Sequence, residues 1–556
     1  MIIIYWFQMS YFLQTFNLAN IDLGIIIIYL IFVVLLGLYF GKRHENAEDY
    51  FLAGRSLTWP LIGFSLFASN MSSNSLVGLA GSGYQDGFSV YSYEWMAVLI
   101  LIIFAIFFLP FYLKNRIFTI PEYLQNRYSY SVRAYASGIA IILNILVDIS
   151  ATLYAGGLVI NIIFPQFALG TIILGLAIVA GIYTISGGLS AVVYTDAVQA
   201  VILIFGSALI TIFAFNKIGG WEPVYAITDP GHFKIIKPAD DDVLPWPALI
   251  SGVLLIGFYF WGTNQYITQR TLAAKNVQQG QWGALFAGLL KLSILFVMIF
   301  PGAFARVIYP FAGYDDQNNV LVTAMDGSTM GLDSIYPSML FDLLPTGVLG
   351  VVLAGLIAAM MSSLDSGLNS VSTLITMDFY TKWKPKASPR QLMGIGRIIT
   401  IIVMVLAVLW APRIGNFPKL WDYLQQTLAW FSPPVVALFV MGLFSKRTNE
   451  KGALASIAVG LMLTVLLILN EGFDGFPLPN FLYVAGFHFL VCCSVLYIVS
   501  AITKPPLDNQ IETTVWTPSV FRAETRVLKA LPWYKNYRYQ ALILLFGLLY
   551  ILLYYG

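Results

Sequence analysis

Charge is what this chain has least of. Only 10% of its 556 residues are Asp, Glu, Lys or Arg, against 58% hydrophobic residues. Soluble domains carry about 25% charged residues, so a water-soluble globular protein is excluded and a polytopic membrane protein is implied. There are two cysteines. Cys492 and Cys493 are adjacent inside an apolar run, which excludes a disulfide framework and leaves them as packing residues. The three histidines, His44, His232 and His488, have no metal-ligand spacing. A net charge of +2 gives no nucleic-acid signal. Phosphate-loop glycines are missing, which argues against ATP-driven transport by this chain. No nucleophile–base pair marks an enzyme. The opening stretch, Met1 to Leu13, lacks a basic leader and is too interrupted to span, so no cleavable signal peptide is expected.

What the chain has instead is long apolar runs. About fourteen segments, from 22–41 to 538–555, are near the roughly 20 residues that a spanning helix needs. Lys and Arg set their orientation. With the loop after the first segment inside, most of the 30 Lys and Arg fall in inner loops or adjoining helix ends, Arg270 among them. Lys217, Lys234, Lys237, Arg306, Arg413 and Lys419 fall outside, and Lys291 lies within a helix. Both termini are then extracytoplasmic, in a multi-pass protein of the cell membrane. The loop 503–537 reads as a partly mobile linker before the last helix.

One apolar helix stops and restarts around Phe67-Ala68-Ser69-Asn70-Met71-Ser72-Ser73-Asn74-Ser75-Leu76. Backbone unwinds at membrane depth only where protein or a wet cavity satisfies it, and broken helices are how secondary transporters build ion and substrate sites. The oxygen-rich run suits a hard cation such as Na⁺. A Ser-rich loop between two helices is the alternative.

Four further places carry polar groups at membrane depth. Lys291 lies in Leu289-Leu290-Lys291-Leu292-Ser293, where a charge at a helix centre costs on the order of 3 kcal/mol; it faces a cavity or partner, or snorkels to an interface. Glu94, between Tyr93 and Trp95, is either an interfacial acid or the partner of Lys291 across a substrate cavity. Asp196 enters an apolar helix about two turns after Gly187-Gly188, on an ion path or as a packing group. In Ser362-Ser363-Leu364-Asp365-Ser366, residues 362, 365 and 366 share a helix face, with Ser363 turned about 100° away. Hydroxyls and a carboxylate on one stripe make half an ion site.

These motifs carry a resemblance. Asp49-Tyr50-Phe51-Leu52-Ala53-Gly54-Arg55-Ser56, leading into the broken helix, resembles the sodium:solute symporter family. So do Gly187-Gly188-Leu189 with Thr195-Asp196 and Gln199, Asn264-Gln265-Tyr266 with Gln269-Arg270, and Met361-Ser362-Ser363 with Asn369-Ser370 and Met377-Asp378. Together they span roughly 25–500. Ser92-Tyr93-Glu94-Trp95 and Gln269-Arg270-Thr271-Leu272-Ala273-Ala274-Lys275 look closest to the bacterial sodium/sugar symporters.

The resemblance implies an all-α fold with a LeuT-type inverted repeat of five plus five helices, at 58–215 and 246–443. A helix and leading loop (1–57) precede it, and further helices (444–556) follow. It implies Na⁺ held by carbonyls of Ala68, Met71 and Ala359 and hydroxyls of Ser362 and Ser363, with a second Na⁺ at Asp196, Asp365 and Ser366. Sugar contacts fall at Ser75, Glu94, Lys291 and Gln425. Tyr93 and Trp421 form an outer aromatic lid that also touches substrate, and Phe260 an inner gate. Ser75, Ala97 and Gly257 depart from the sugar-binding pattern, each lost hydrogen bond being worth about 0.5–1.5 kcal/mol. The implied function is Na⁺-driven import of a sugar or polyol. Sialic acid or an amino acid is the alternative cargo, and a solute sensor without flux is a remoter one.

Overall fold

The computed structural model describes residues 18–40, 46–163, 166–316, 318–417, 419–472 and 477–556. Met1 to Leu13 and the inner-loop residues Lys42, Arg43 and His44 lie outside these. Among the described residues, eleven helices are long and apolar enough to cross a membrane, and two shorter apolar helices, Asn20–Leu36 and Leu169–Gly181, add to them.

The elements used below are α1 (Asn20–Phe40), α2 (Trp59–Asn70), α3 (Ser73–Gln85), α4 (Gly87–Lys114), α5 (Tyr130–Asn161) and α6 (Leu169–Ile218). Then come α7 (Trp246–Thr263), α8 (Gln265–Leu272), α9 (Val277–Ile308), α10 (Val348–Trp383), α11 (Pro389–Asn416) and α12 (Leu420–Phe444). The last five are α13 (Glu450–Gly472), α14 (Phe481–Ile502), α15 (Asp508–Thr514), α16 (Pro518–Lys529) and α17 (Tyr537–Tyr555).

Local chemistry sets several boundaries. Pro60 opens α2, where its missing N–H costs nothing. The helix ends because Met71 turns to φ −88°, ψ 69°. Ser72 is extended, and α3 starts at Ser73. The break expected in the polar run is therefore real, and neither half alone reaches spanning length. Ser388 and Gln391 cap α11 reciprocally. The Gly187-Gly188 pair marks a turn within α6, where Gly188 adopts φ 56°, ψ −174°, a region essentially closed to other residues.

α10 is the centre of the molecule, with nearly every residue from Leu349 to Leu374 buried. It packs against α6, α1 and α2, and α2 packs in turn on α9. A close approach joins α3 to α9: a Cβ on Gly302 would sit 2.4 Å from the Ala80 carbonyl oxygen. Outward faces carry large apolar side chains such as Phe205, Leu409, Leu466 and Leu553, as lipid contact requires.

Two expectations need correction. The fold is not purely helical: the outer loop after α9 holds a three-stranded antiparallel sheet of β1 (Phe311–Tyr314), β2 (Val320–Thr323) and β3 (Thr329–Gly331). And 503–537 is not a slack linker, since it contains α15 and α16. The Trp516 N–H donates to the Leu443 carbonyl at 2.8 Å, and the Tyr123 hydroxyl to the Thr514 carbonyl at 2.9 Å. Glu524 pairs with Arg538 at 2.6 Å. Long-range backbone contacts tie down a polar stretch whose composition alone reads as loop.

Candidate functional site

The break between α2 and α3 opens onto a cavity walled by α2, α3, α4, α5, α7, α8 and α12. Its polar wall is the break itself, with Ser69, Asn70, Ser72, Asn74 and Ser75. α4 adds Tyr93 and Glu94, α7 adds Phe260 and Trp261, and α12 adds Trp421 and Gln425. Tyr93 and Trp421 meet edge to face, with centroids 5.4 Å apart. Six of the seven residues expected at the substrate or its gates (Ser75, Tyr93, Glu94, Phe260, Trp421 and Gln425) thus line one space. Gly257 lines it too, whereas Ala97 is buried elsewhere.

Lys291 is the exception. It is fully buried and is not part of the cavity wall. Its ammonium donates to the Glu94 carboxylate and to Asn70 Oδ1, and lies 5.2 Å from the Trp261 ring centroid. Lipid-depth charge takes a partner, and Glu94 and Asn70 are the oxygen partners of Lys291 in this arrangement. The Ser75 hydroxyl donates to the Asn70 carbonyl at 2.8 Å and so helps hold the break.

On the far side of the break stands α10. The Ser363 hydroxyl donates to the Ser69 carbonyl at 3.2 Å. Ser362 donates to the Asp196 carboxylate. Ala68, Met71, Ala359, Ser362 and Ser363 are all buried. The Ser363 hydroxyl therefore faces the backbone at the break, while the Ser362 hydroxyl turns to Asp196.

Beneath it lies a cluster that sequence reasoning did not foresee. Arg270, counted above among inner-loop charges, is 1% exposed. Its Nε donates to Ser65 at 2.6 Å, its Nη1 to the Tyr266 carbonyl at 2.5 Å, and its Nη2 to Ser69 and Ser366. It lies 3.4 Å from Asp196, which also accepts from Ser65 at 2.5 Å. The error arose because α8 is short and polar and reads as the end of a loop; its own cap, Asn264 accepting from the Tyr266 N–H at 3.0 Å, was the visible signal. Asp196 and Ser366 are thus already engaged by a fixed cation. Asp365 is buried beside them.

A second residue was missed. Asp148 lines the cavity from α5. It sits in a π-bulged stretch, Asn144–Ile149, where the ordinary 3.6-residue spacing fails to report which face a side chain takes.

At the N-terminal end of α12, Lys419 lies 2.9 Å from Asp86 and 3.3 Å from Asp422. The Leu420 N–H donates to Asp333 at 3.2 Å. Burial pushes the Asp333 carboxyl up to about 6. Near the start of α5, Arg133 pairs with Asp378 at 2.5 Å.

Known proteins carry the same architecture. The family model for the sodium:solute symporter family matches residues 50–460. A sodium/glucose cotransporter 4 of Danio rerio is 34% identical over 560 residues, covering 94% of this chain and 84% of that one. The chain belongs to the sodium:solute symporter family. A human sodium/myo-inositol cotransporter is 35% identical to the symporter over 552 residues, covering 90% of this chain and 76% of that one. Among solved structures, a substrate-bound, outward-open Na⁺-coupled sialic acid symporter superposes with a TM-score of 0.73 at 23% identity, over 88% of this chain and 99% of that one. A nucleobase-cation-symport-1 family transporter gives 0.56 at 11% identity, over 84% and 99%. The structural likenesses speak for the fold. The relatives are cotransporters rather than enzymes, and Na⁺ is the ion their names share with the family.

Proposed function

We propose that this symporter couples Na⁺ entry to import of a sugar or polyol by alternating access. The observation that carries the reading is the cavity at the helix break, in which Glu94, Asn70 and Gln425 stand among Tyr93, Trp421 and Phe260. Such walls suit a ring with polar edges and apolar faces. Curated relatives named for glucose and for myo-inositol support the substrate class.

In this reading about fourteen helices span the bilayer. The two five-helix repeats, 58–215 and 246–443, are related by inversion, and both termini lie outside, as the Lys and Arg distribution favours. Na⁺ sits at the carbonyls of Ala68, Met71 and Ala359 with the hydroxyls of Ser362 and Ser363. The bound ion would hold the broken helix against α10. Glu94 and Gln425 orient the solute hydroxyls, Ser75 shapes the floor, and Lys291 fixes Glu94 and Asn70 from behind. Tyr93 with Trp421 closes the outer side and Phe260 the inner side. A second Na⁺ at Asp196, Asp365 and Ser366 requires Arg270 to move off Ser366. Each charge entering a negative interior gains about 2.3 kcal/mol per 100 mV.

The test is uptake into proteoliposomes under an inward Na⁺ gradient, using labelled glucose, galactose, myo-inositol, sialic acid and proline. Sodium-dependent accumulation of a neutral sugar or inositol supports the reading. Accumulation of sialic acid or proline alone keeps the mechanism and overturns the substrate. Binding without accumulation of any solute makes the protein a sensor.

A further inference from the structure

Three buried acids in this protein sit against cations: Glu94 with Lys291, Asp196 with Arg270 and Asp378 with Arg133. Asp22 instead accepts the backbone N–H groups of Gly347 and Gly350. Asp148 differs from all four. It is 7% exposed, lines the substrate cavity, and makes no ion pair among the described residues. Its polar neighbour is Asn264, whose buried Nδ2 finds no hydrogen-bond partner. A neutral amide cannot cancel a carboxylate's charge.

The charge count of the cavity follows. Lys291 cancels Glu94, and among the described residues no second cation answers Asp148. The space is left with one buried acid in a low-dielectric setting, where ionising it is costly unless a cation arrives to pair with it. A solute that brings a positive charge completes the set. One that brings a negative charge adds repulsion.

We propose that Asp148 is a specificity residue that receives the ammonium group of an amino-substituted sugar or polyol. The proposal rests on the sugar-or-polyol reading above and narrows it to a cationic member of that class. The ring lies against the aromatic walls, its hydroxyls reach Glu94 and Gln425, and its ammonium meets Asp148 with Phe260 and Tyr266 close by. Both rings line the same cavity, and their faces attract a cation as well. The geometry disfavours acidic sugars, because among the described residues no Lys or Arg lines the cavity to receive a carboxylate.

The test compares matched pairs in proteoliposomes under a Na⁺ gradient: glucosamine with glucose and N-acetylglucosamine, and an inosamine with myo-inositol. An external pH of about 6.5 keeps the amines charged. A charged hydrogen bond predicts that the amine of a pair is taken up with kcat/KM about ten- to a hundred-fold above its neutral counterparts. Asp148→Asn is expected to erase that preference, so that within the variant the amine and its neutral counterpart are taken up with equal kcat/KM.

Equal or better transport of the neutral members by the unaltered protein overturns the inference, with no variant needed. So does an Asp148→Asn protein that keeps its amine preference. A variant changed only in Na⁺ activation makes Asp148 an ion ligand. One that loses only a pH dependence of neutral-solute uptake makes it a proton site. Either result also overturns the inference. If the unaltered protein accumulates none of these solutes, the sugar-or-polyol reading itself fails, which is a separate result.

Discussion

Removing the partner of Lys291 tests whether the buried pair holds the site together. Glu94 and Lys291 have side chains 5% and 1% exposed. Glu94→Gln keeps shape and a hydrogen-bond acceptor but leaves a cation with only neutral oxygen partners, the new amide and Asn70. Breaking such a pair costs about 3–5 kcal/mol. Replacing both members, Glu94→Gln with Lys291→Met, removes the stranded charge and is expected to recover most of that loss. Substrate binding should stay impaired in the double variant, because Glu94 lines the cavity. The assay is reversible unfolding in mixed detergent micelles for all four proteins of the cycle, with equilibrium substrate binding alongside. If Glu94→Gln costs under about 1 kcal/mol, as an exposed pair would, or if the two losses simply add, the buried-pair argument is refuted.

Other predictions concern neighbouring parts. Ser363→Ala removes a hydroxyl worth about 0.5–1.5 kcal/mol, so half-activation by Na⁺ should rise several-fold while the ranking of solutes holds; Na⁺ titrations of uptake check this. Gln425→Ala should do the reverse, altering solute ranking with Na⁺ activation retained, and unchanged transport of every solute would show the substrate cavity to be misplaced. The raised Asp333 carboxyl binds its proton more tightly here than in an unfolded chain. This arrangement at the N-terminal end of α12, outer in the proposed orientation, therefore gains stability as pH falls through about 6, and loses it as pH rises. External acidification should slow outer opening with a midpoint near 6, and Asp333→Asn should abolish that dependence in stopped-flow fluorescence. Gly302→Ala forces a methyl against the Ala80 carbonyl and should cost about 1–3 kcal/mol, read as a lowered melting temperature.

Much of this was legible in the sequence because lipid makes polar residues conspicuous. The break at Ser69–Ser75, the Ser362-Ser363 pair and the Glu94–Lys291 partnership each stood out against apolar surroundings. They meet in space because α2 packs on both α10 and α9, and α9 packs on α4. The burial of Arg270 escaped because its helix, α8, is short and holds several polar residues. Asp148 escaped because a π-bulge shifts the faces of α5, and one acid in Leu146-Val147-Asp148-Ile149 gives no partner to look for. Lys291 was found, but its place behind Glu94 and Asn70, off the cavity wall, depends on packing that its apolar flanks do not report. The helices of 503–537 were missed because their anchors, the carbonyl of Leu443 and the hydroxyl of Tyr123, are distant in the chain.

The central claim is coupling. The most direct measurement is the steady-state accumulation ratio of the preferred solute in proteoliposomes, with voltage clamped at zero and the Na⁺ gradient varied. Coupled symport predicts that the ratio follows the Na⁺ gradient, to the first power for one ion and to the second for two. A ratio of one at every gradient would contradict the account, whatever solute the cavity binds.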